Sequence, residues 1–169
     1  MVTEPHLPDP EAYYPGSGGR EHPGPSSARL PAAIADLITA HARDAIPNEA
    51  CGIIVGDRPA AEGGVARRWV AVRNALASPA RYAIHPDDLL RLTIETDDSD
   101  EVFWAIVHSH VASPARPSPT DVRESHYPDS LYILVSLAPA AADRSTGRPG
   151  MRAWRIVDDT VHEVELSID

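Results

Sequence analysis

The stretch at residues 102–122 reads VFWAIVHSHVASPARPSPTDV and joins a core segment to a run of polar side chains. The residues before His108 are apolar and β-branched or aromatic, which predicts a buried strand that ends at the polar run. Side chains two residues apart lie on the same face of a strand. We therefore expect His108 and His110 to point the same way and Ser109 to point to the other side.

The segment Ser118-Pro119-Thr120-Asp121 follows the histidines after a proline-rich loop. It is typical of a helix start, with Ser118 as the N-cap, a proline at the first helical position and an acid in the first turn. On one interpretation Asp121 only caps that helix. On the other, the helix start presents Asp121 to a metal ion, and the two interpretations are compatible.

His108, His110 and Asp121 together are the ligand types of a catalytic Zn²⁺ with one open coordination position. A His-x-His pair alone is more often a packing or hydrogen-bonding feature, so the combination carries the prediction. Other His-x-His sites fit less well. Binuclear hydrolases of the HxHxDH type need an aspartate where Ala112 stands, and a zinc deaminase needs a Pro-Cys-x-x-Cys segment in a chain with one cysteine.

The length of 169 residues and the hydrophobic content of 43% predict one packed domain. Residues 1–27 are rich in Pro, Gly and Ser, so we expect a disordered tail before a domain at residues 28–169. The net charge of −10 argues against nucleic acid as a ligand, and no apolar stretch reaches the roughly 20 residues of a membrane span. A single cysteine, Cys51, favours a reducing, cytoplasmic location.

Helical and extended patterns alternate along the domain, which predicts an α/β or α+β fold with a mixed sheet. The predicted helices lie at residues 27–43 and 86–96 and after Ser118, and the predicted strands at residues 49–56, 65–73, 81–84, 102–107, 131–137, 151–157 and 161–168. The last two strands form a hairpin.

A metal-activated water needs a base that is not itself a ligand, and Glu49 is the best candidate in the sequence. It precedes the apolar strand residues 50–55, where burial would raise its pKa. A glutamate at a strand entrance more often faces solvent, and spacing alone does not bring it to the metal. Cys51 also permits a thiol-protease interpretation, but a buried cysteine within a strand is more often unreactive core.

The segments PNEACGIIVG (residues 47–56) and HSHVASPARPSPTDV (residues 108–122) together resemble the JAMM motif of MPN/Mov34-type metalloproteases. That motif has an upstream Glu at a strand entrance, then His-x-His, seven residues, Ser, two residues and Asp, and every position matches. The resemblance covers about residues 30–137. It implies a JAMM/MPN fold, a curved mixed β-sheet flanked by helices, with an architecture like that of cytidine deaminases.

The resemblance also implies a role for each motif residue. His108, His110 and Asp121 would hold Zn²⁺ with water as the fourth ligand. Glu49 would take the proton of that water and return it to the departing amine, and Ser118 would donate a hydrogen bond to the oxyanion of the tetrahedral intermediate. Two further residues, Ser109 and Cys51, are expected to support the ligands or to line the rim of the site. His126 is a third candidate for the rim and is expected at the surface.

Only nine residues separate Asp121 from Leu131, so the second insertion usual in eukaryotic relatives is absent and the chain resembles the short bacterial members. These members imply a zinc peptidase that cleaves after the Gly-Gly tail of a small ubiquitin-like sulfur carrier protein, releasing cysteine or trimming C-terminal residues. The alternatives are an isopeptidase on another ubiquitin-like modifier, a small-molecule amidase and a non-catalytic MPN scaffold. Scaffold members lose the ligands, which this chain keeps.

Overall fold

The computed structural model describes residues 24–169. Most of the predicted tail lies outside the described residues and stays a prediction. The elements in chain order are β1 (Ser27–Leu30), α1 (Ala32–Asp44), β2 (Cys51–Gly56), β3 (Ala66–Val72), α2 (Pro86–Asp98), β4 (Val102–His110), α3 (Pro119–Arg123), β5 (Leu131–Ser136), β6 (Gly150–Val157) and β7 (Thr160–Ile168). Among these, no helix has both the length and the apolar character to cross a membrane.

The seven strands form one mixed sheet in the order β1-β7-β6-β5-β4-β2-β3. The pairs β4–β5 and β1–β7 are parallel, whereas the other neighbours are antiparallel. Parallel neighbours need a crossover connection rather than a tight turn. The segment between β4 and β5, which contains α3, supplies that crossover. This architecture confirms the predicted mixed sheet with flanking helices.

The strands alternate their side chains between two apolar clusters, one on each face of the sheet. Ile34 and Ile38 of α1 pack with Ile54 on one face. Leu92 of α2 packs with Ile53 on the other face. Since neighbouring residues of β2 enter different clusters, the sheet is covered on both faces, as its continuous apolar strands predict.

The predicted helix at residues 27–43 is wrong at its beginning. Its first residues form β1, which pairs in parallel with β7 near the other end of the chain. The helix starts only after Pro31, whose backbone is extended at φ −56° and ψ 134°. The helical backbone conformation is disfavoured for a residue that precedes proline. The position of Leu30 before Pro31 was therefore a local signal that the helix begins later.

The predicted strand at residues 81–84 is also wrong. This segment belongs to a loop, residues 73–85, and only one isolated bridge joins Asn74 to Ile84. The Asn74 side chain hydrogen-bonds to several backbone groups of the loop. Because these bonds satisfy the backbone groups that a second strand would have satisfied, the loop needs no ladder.

Candidate metal centre

His108 and His110 are in the last three residues of β4. Ile106, two residues earlier, belongs to the apolar cluster on the face covered by α2. The alternation of the strand carries both histidines onto the same face. Both rings are buried, and their Nε2 atoms lie 3.1 Å apart. The strand therefore delivers two ring nitrogens to one point, as the spacing predicted.

Asp121 reaches the histidines from the first turn of α3. The side chain of Ser118 accepts a hydrogen bond from the Asp121 backbone N–H at 3.1 Å, and Asp121 Oδ2 accepts one from the Ser118 N–H at 2.7 Å. This reciprocal capping box locks the helix start. The same carboxylate lies 3.2 Å from His108 Nε2 through Oδ1 and 3.4 Å from His110 Nε2 through Oδ2. Asp121 thus caps the helix and faces both rings.

These three side chains fit a tetrahedral metal ion. A Zn²⁺ ion with bonds of about 2.0–2.1 Å keeps its ligand atoms about 3.3–3.4 Å apart. Here the two Nε2 atoms lie 3.1 Å apart, and they lie 3.2 and 3.4 Å from different oxygens of Asp121, so the three groups are close enough to share one ion. Two imidazoles and one carboxylate leave one tetrahedral position open. The donor set supports a metal ion at His108, His110 and Asp121.

Asp121 and His108 are held in the protonation states that bind a metal ion, whereas His110 holds its proton more tightly. Burial opposes the ionisation of Asp121, but its hydrogen bonds with His108 and His110 hold its pKa well below the usual range. Burial lowers the pKa of His108 in spite of the nearby carboxylate, which keeps that ring neutral. For His110 burial acts in the same direction, yet hydrogen bonding to Asp121 and to the Pro114 carbonyl raises its pKa. A carboxylate and a neutral imidazole are the binding forms.

The two histidines are oriented in different ways. Nδ1 of His110 lies 2.8 Å from the Pro114 carbonyl oxygen, to which it donates, and this leaves Nε2 available to bind a metal ion. Nδ1 of His108 is buried and has no hydrogen-bond partner among the described residues. Its ring instead lies against the ring of Tyr82, with the centroids 4.2 Å apart and the planes 19° apart.

The pairing of β2 with β4 brings the entrance of β2 to the metal centre. Cys51 pairs with His108 in the antiparallel ladder. One step further out, the Ser109 N–H donates to the Ala50 carbonyl at 2.9 Å, and the Ser109 hydroxyl accepts from the Ala50 N–H at 2.8 Å. Ser109 therefore joins the two strands behind the histidines, on the side away from their rings.

Glu49 lies two residues before β2, so the pairing of Cys51 with His108 brings it to the end of β4 that carries the histidines. Its side chain is only 5% exposed. Burial raises its pKa to about 7; the positive charge of His110 opposes this shift and the negative charge of Asp121 adds to it. A carboxyl group that interacts with two of the candidate ligands and titrates near neutral pH can exchange protons at this site.

The remaining two predicted residues lie in different surroundings. Cys51 is buried with its Sγ 3.8 Å from the Val72 carbonyl oxygen, and burial raises its pKa to about 12. It stays a thiol at neutral pH, which argues against the thiol-protease interpretation. His126 is exposed, as expected, and its place at the rim of the site stays a prediction.

Sequence reasoning missed Tyr82 and Asn74, which both lie in the loop at residues 73–85, where residues 81–84 were predicted as a strand. Tyr82 stacks on His108, and the Asn74 amide donates to the Glu49 carbonyl oxygen at 3.0 Å. The available signal was composition: Tyr82 is an aromatic residue in a loop of small and polar residues. Such a signal does not say which ligand the ring would meet.

Comparison with known proteins finds a matching family and a similar peptidase. Residues 31–157 match the family model described as prokaryotic homologues of the JAB domain. The CysO-cysteine peptidase of Mycobacterium tuberculosis is 36% identical over 139 residues, which are 80% of this chain and 86% of that protein.

Solved structures show the same fold. A protein from Desulfitobacterium hafniense superimposes with a TM-score of 0.69 at 30% identity, over 83% of this chain and 92% of that one. A JAB1/MPN domain protein from Archaeoglobus fulgidus superimposes with a TM-score of 0.50 at 15% identity, over 82% of this chain and 98% of that one. These likenesses confirm the predicted fold class.

Proposed function

The chain belongs to the family of prokaryotic homologues of the JAB domain, and from this premise we propose that it is a zinc-dependent peptidase acting on a small ubiquitin-like sulfur carrier protein. It hydrolyses the peptide bond after the Gly-Gly tail of the carrier and releases cysteine. Membership of the family confirms the resemblance found in the motif. The observation that carries the proposal is the convergence of His108, His110 and Asp121 beside the buried carboxyl group of Glu49.

His108, His110 and Asp121 are the residues that would hold Zn²⁺. When bound, the ion supplies Lewis acidity, which lowers the pKa of a water molecule and polarises the scissile carbonyl group. The protein contributes the preset orientation of these side chains, because the strand end and the capping box already hold the two ring nitrogens within 3.4 Å of the Asp121 carboxylate. Little reorganisation is needed at the moment of reaction.

Glu49 transfers the proton. With a pKa near 7 its carboxylate accepts a proton from the attacking water and, as the acid, gives it to the departing amine nitrogen. A solvent-exposed glutamate, with its usual pKa near 4, would be a weaker base and almost never the acid at neutral pH. The burial of Glu49 is therefore the feature that suits it to both steps.

Ser118 donates a hydrogen bond to the oxyanion that forms when water adds to the carbonyl carbon. Its oxygen already accepts from the Asp121 N–H. A hydroxyl group both accepts and donates, so the cap directs the oxygen and leaves the hydrogen for the substrate. Donors held in this way stabilise a developing negative charge more than mobile water does.

The choice of substrate rests on the relative and on chemistry. A protein 36% identical over most of both chains carries the name CysO-cysteine peptidase, which names a cysteine-bearing carrier. A Gly-Gly tail suits a site whose ligands are buried, because glycine lets the backbone approach closely without a side chain to accommodate.

Mass spectrometry of a carrier tests the proposal. We expect the zinc-loaded protein to remove the last residue from a ubiquitin-fold carrier that ends in Gly-Gly-Cys. The same carrier ending in Ala-Ala-Cys should remain intact, and so should the Gly-Gly-Cys carrier mixed with the chelator-treated protein. Failure to cleave any Gly-Gly-X tail would contradict the proposal. Preferential cleavage of a Gly-Gly chain linked to a lysine side chain would favour the isopeptidase alternative.

Replacement of Ser118 separates its two roles. Ser118→Ala should lower kcat by about 10²-fold through loss of the oxyanion donor and should also lower the free energy of unfolding by about 1 kcal/mol through loss of the cap. Ser118→Gly should show the same loss of kcat with a stability loss of only a few tenths of a kcal/mol, since glycine is tolerated at an N-cap. Steady-state kinetics and urea unfolding measure both effects, and a kcat that follows stability across the pair would refute the donor role.

A further inference from the structure

His108 lacks the usual support of a metal-binding histidine. Such a ring normally donates its second N–H to a carbonyl or carboxylate, which fixes its orientation. His110 has this support from the Pro114 carbonyl oxygen at 2.8 Å. Nδ1 of His108 is buried without a hydrogen-bond partner among the described residues. The contact of its Nε2 with Asp121 holds one edge of the His108 ring, and a second contact is needed to fix the plane of the ring.

Tyr82 makes that contact. The ring of Tyr82 lies nearly parallel to that of His108, with the centroids 4.2 Å apart and the planes 19° apart. It belongs to the same partly buried apolar cluster as Phe103 and Val122. Stacked aromatic rings attract each other beyond the gain from their buried area. A flat ring pressed on the imidazole resists its rotation about χ2.

The loop that carries Tyr82 is held by the side chain of Asn74. Its amide nitrogen donates to the carbonyl oxygens of Glu49 and Arg81, each at 3.0 Å. Its amide oxygen accepts from the N–H groups of Leu76 and Ala83, at 3.0 and 3.1 Å. Four hydrogen bonds from one side chain fill its whole capacity and set the path of the loop on both sides of Tyr82.

The same loop also holds the backbone of Glu49. The Glu49 N–H donates to the Ser78 carbonyl oxygen at 2.8 Å, while the Glu49 carbonyl oxygen accepts from Asn74. One loop thus contacts the segment of the proton-transferring residue through hydrogen bonds and a metal ligand through a ring. Neither contact is a hydrogen bond of a helix or of a strand ladder.

We propose that Tyr82 is a positioning residue that orients the metal ligand His108 by ring stacking, and that Asn74 holds the loop that presents it. The inference rests on the metal site of the proposed function and is independent of the substrate. Its test therefore uses metal binding rather than cleavage.

The test compares Tyr82→Leu with Tyr82→Phe. Zn²⁺ affinity is measured by competition with a chromophoric chelator, and the geometry of the site by the visible absorption of the Co²⁺ form. Tyr82→Leu should weaken binding by about 10- to 100-fold, the range found when a partner that orients a metal ligand is removed, and should alter the Co²⁺ spectrum. Tyr82→Phe keeps the stack, so its affinity and spectrum should match those of the wild type.

A matched control is Phe103→Leu, an equivalent loss of an aromatic ring from the same apolar cluster at the other end of β4. It should lower the unfolding temperature but leave Zn²⁺ affinity within about twofold of the wild type, because its ring is not the one that stacks on His108.

If Tyr82→Leu does not fold, Asn74→Asp gives a second measurement. It keeps the shape but replaces two N–H donors with an acceptor facing the Glu49 and Arg81 carbonyl oxygens, so Zn²⁺ affinity should also fall.

Three results would overturn the inference. Wild-type affinity in Tyr82→Leu or in a folded Asn74→Asp would show that the stack orients nothing. Equal losses in Tyr82→Phe and Tyr82→Leu would assign the effect to the hydroxyl group. An equal loss of Zn²⁺ affinity in Phe103→Leu would attribute the effect of Tyr82→Leu to general destabilisation. Absence of Zn²⁺ binding by the wild type would instead contradict the proposed function.

Discussion

Glu49→Gln should lower kcat/KM for carrier cleavage by about 10²- to 10⁴-fold and leave the bound Zn²⁺ in place. The amide has nearly the same shape but neither accepts nor returns a proton. Glu49 is not one of the three candidate ligands, so the metal content of the purified variant should equal that of the wild type. Glu62→Gln, at an exposed position outside the site, is the matched control and should cleave at the wild-type rate. Full activity in Glu49→Gln would exclude the proton-transfer role.

The pH dependence of wild-type activity should also show the proton-transfer role of Glu49. The base form of Glu49 is the carboxylate, and burial raises the pKa of this group to about 7. Cleavage by the zinc-loaded protein should therefore decline as the pH falls through about 7, whereas the side chain of an ordinary glutamate would remain a carboxylate down to about pH 4. Loss of this acidic limb in the residual activity of Glu49→Gln would identify the group.

The same substitution should stabilise the metal-free protein. A carboxyl group whose pKa is higher in the folded state than in the unfolded state favours folding at low pH and loses that contribution as the pH rises from about 4.5 to about 7. Glu49→Gln removes the buried charge, so the variant should be more stable than the wild type above pH 7, by on the order of 2 kcal/mol. Urea unfolding at pH 5 and pH 8 measures the difference, which should be smaller at pH 5.

Asp121→Asn should weaken Zn²⁺ binding by at least about 100-fold and with it abolish cleavage. The substitution removes the only charged ligand of the set while keeping the size of the side chain. The Ser118 hydroxyl still accepts from the backbone N–H of residue 121, and the new amide oxygen can still accept from the Ser118 N–H, so α3 should remain capped. Metal content after dialysis and chelator competition measure the loss.

Asp129→Asn is the control for this variant, because it makes the same change at an exposed position after α3. It should bind Zn²⁺ like the wild type. Wild-type affinity in Asp121→Asn would remove Asp121 from the ligand set.

A folded wild type should also lose Zn²⁺ progressively as the pH falls, since protons compete for the two imidazoles and most strongly for His110, whose pKa is raised.

The local parts of the site could be predicted because each depends on residues close together in the chain. Strand alternation alone places the rings of His108 and His110 on one face. The order Ser-Pro-Thr-Asp alone predicts a capped helix start, and the structure has the reciprocal hydrogen bonds between Ser118 and Asp121. Predictions failed where distant segments decide the outcome. The residues of β1 fit a helical period but find a parallel partner in β7, which no local pattern contains.

The sequence by itself therefore determined the ligand types, their shared face and the helix start that presents the carboxylate. The tertiary structure decided which residues surround them. The pairing of β2 with β4 brings the segment just before β2 to the histidines, where Glu49 is buried, and only that burial gives its carboxyl group a pKa near 7. The hydrogen bonds of Asn74 set the loop that lays Tyr82 on His108. Local geometry follows from neighbouring residues, whereas register, burial and ring contacts depend on how segments far apart in the chain pair and pack.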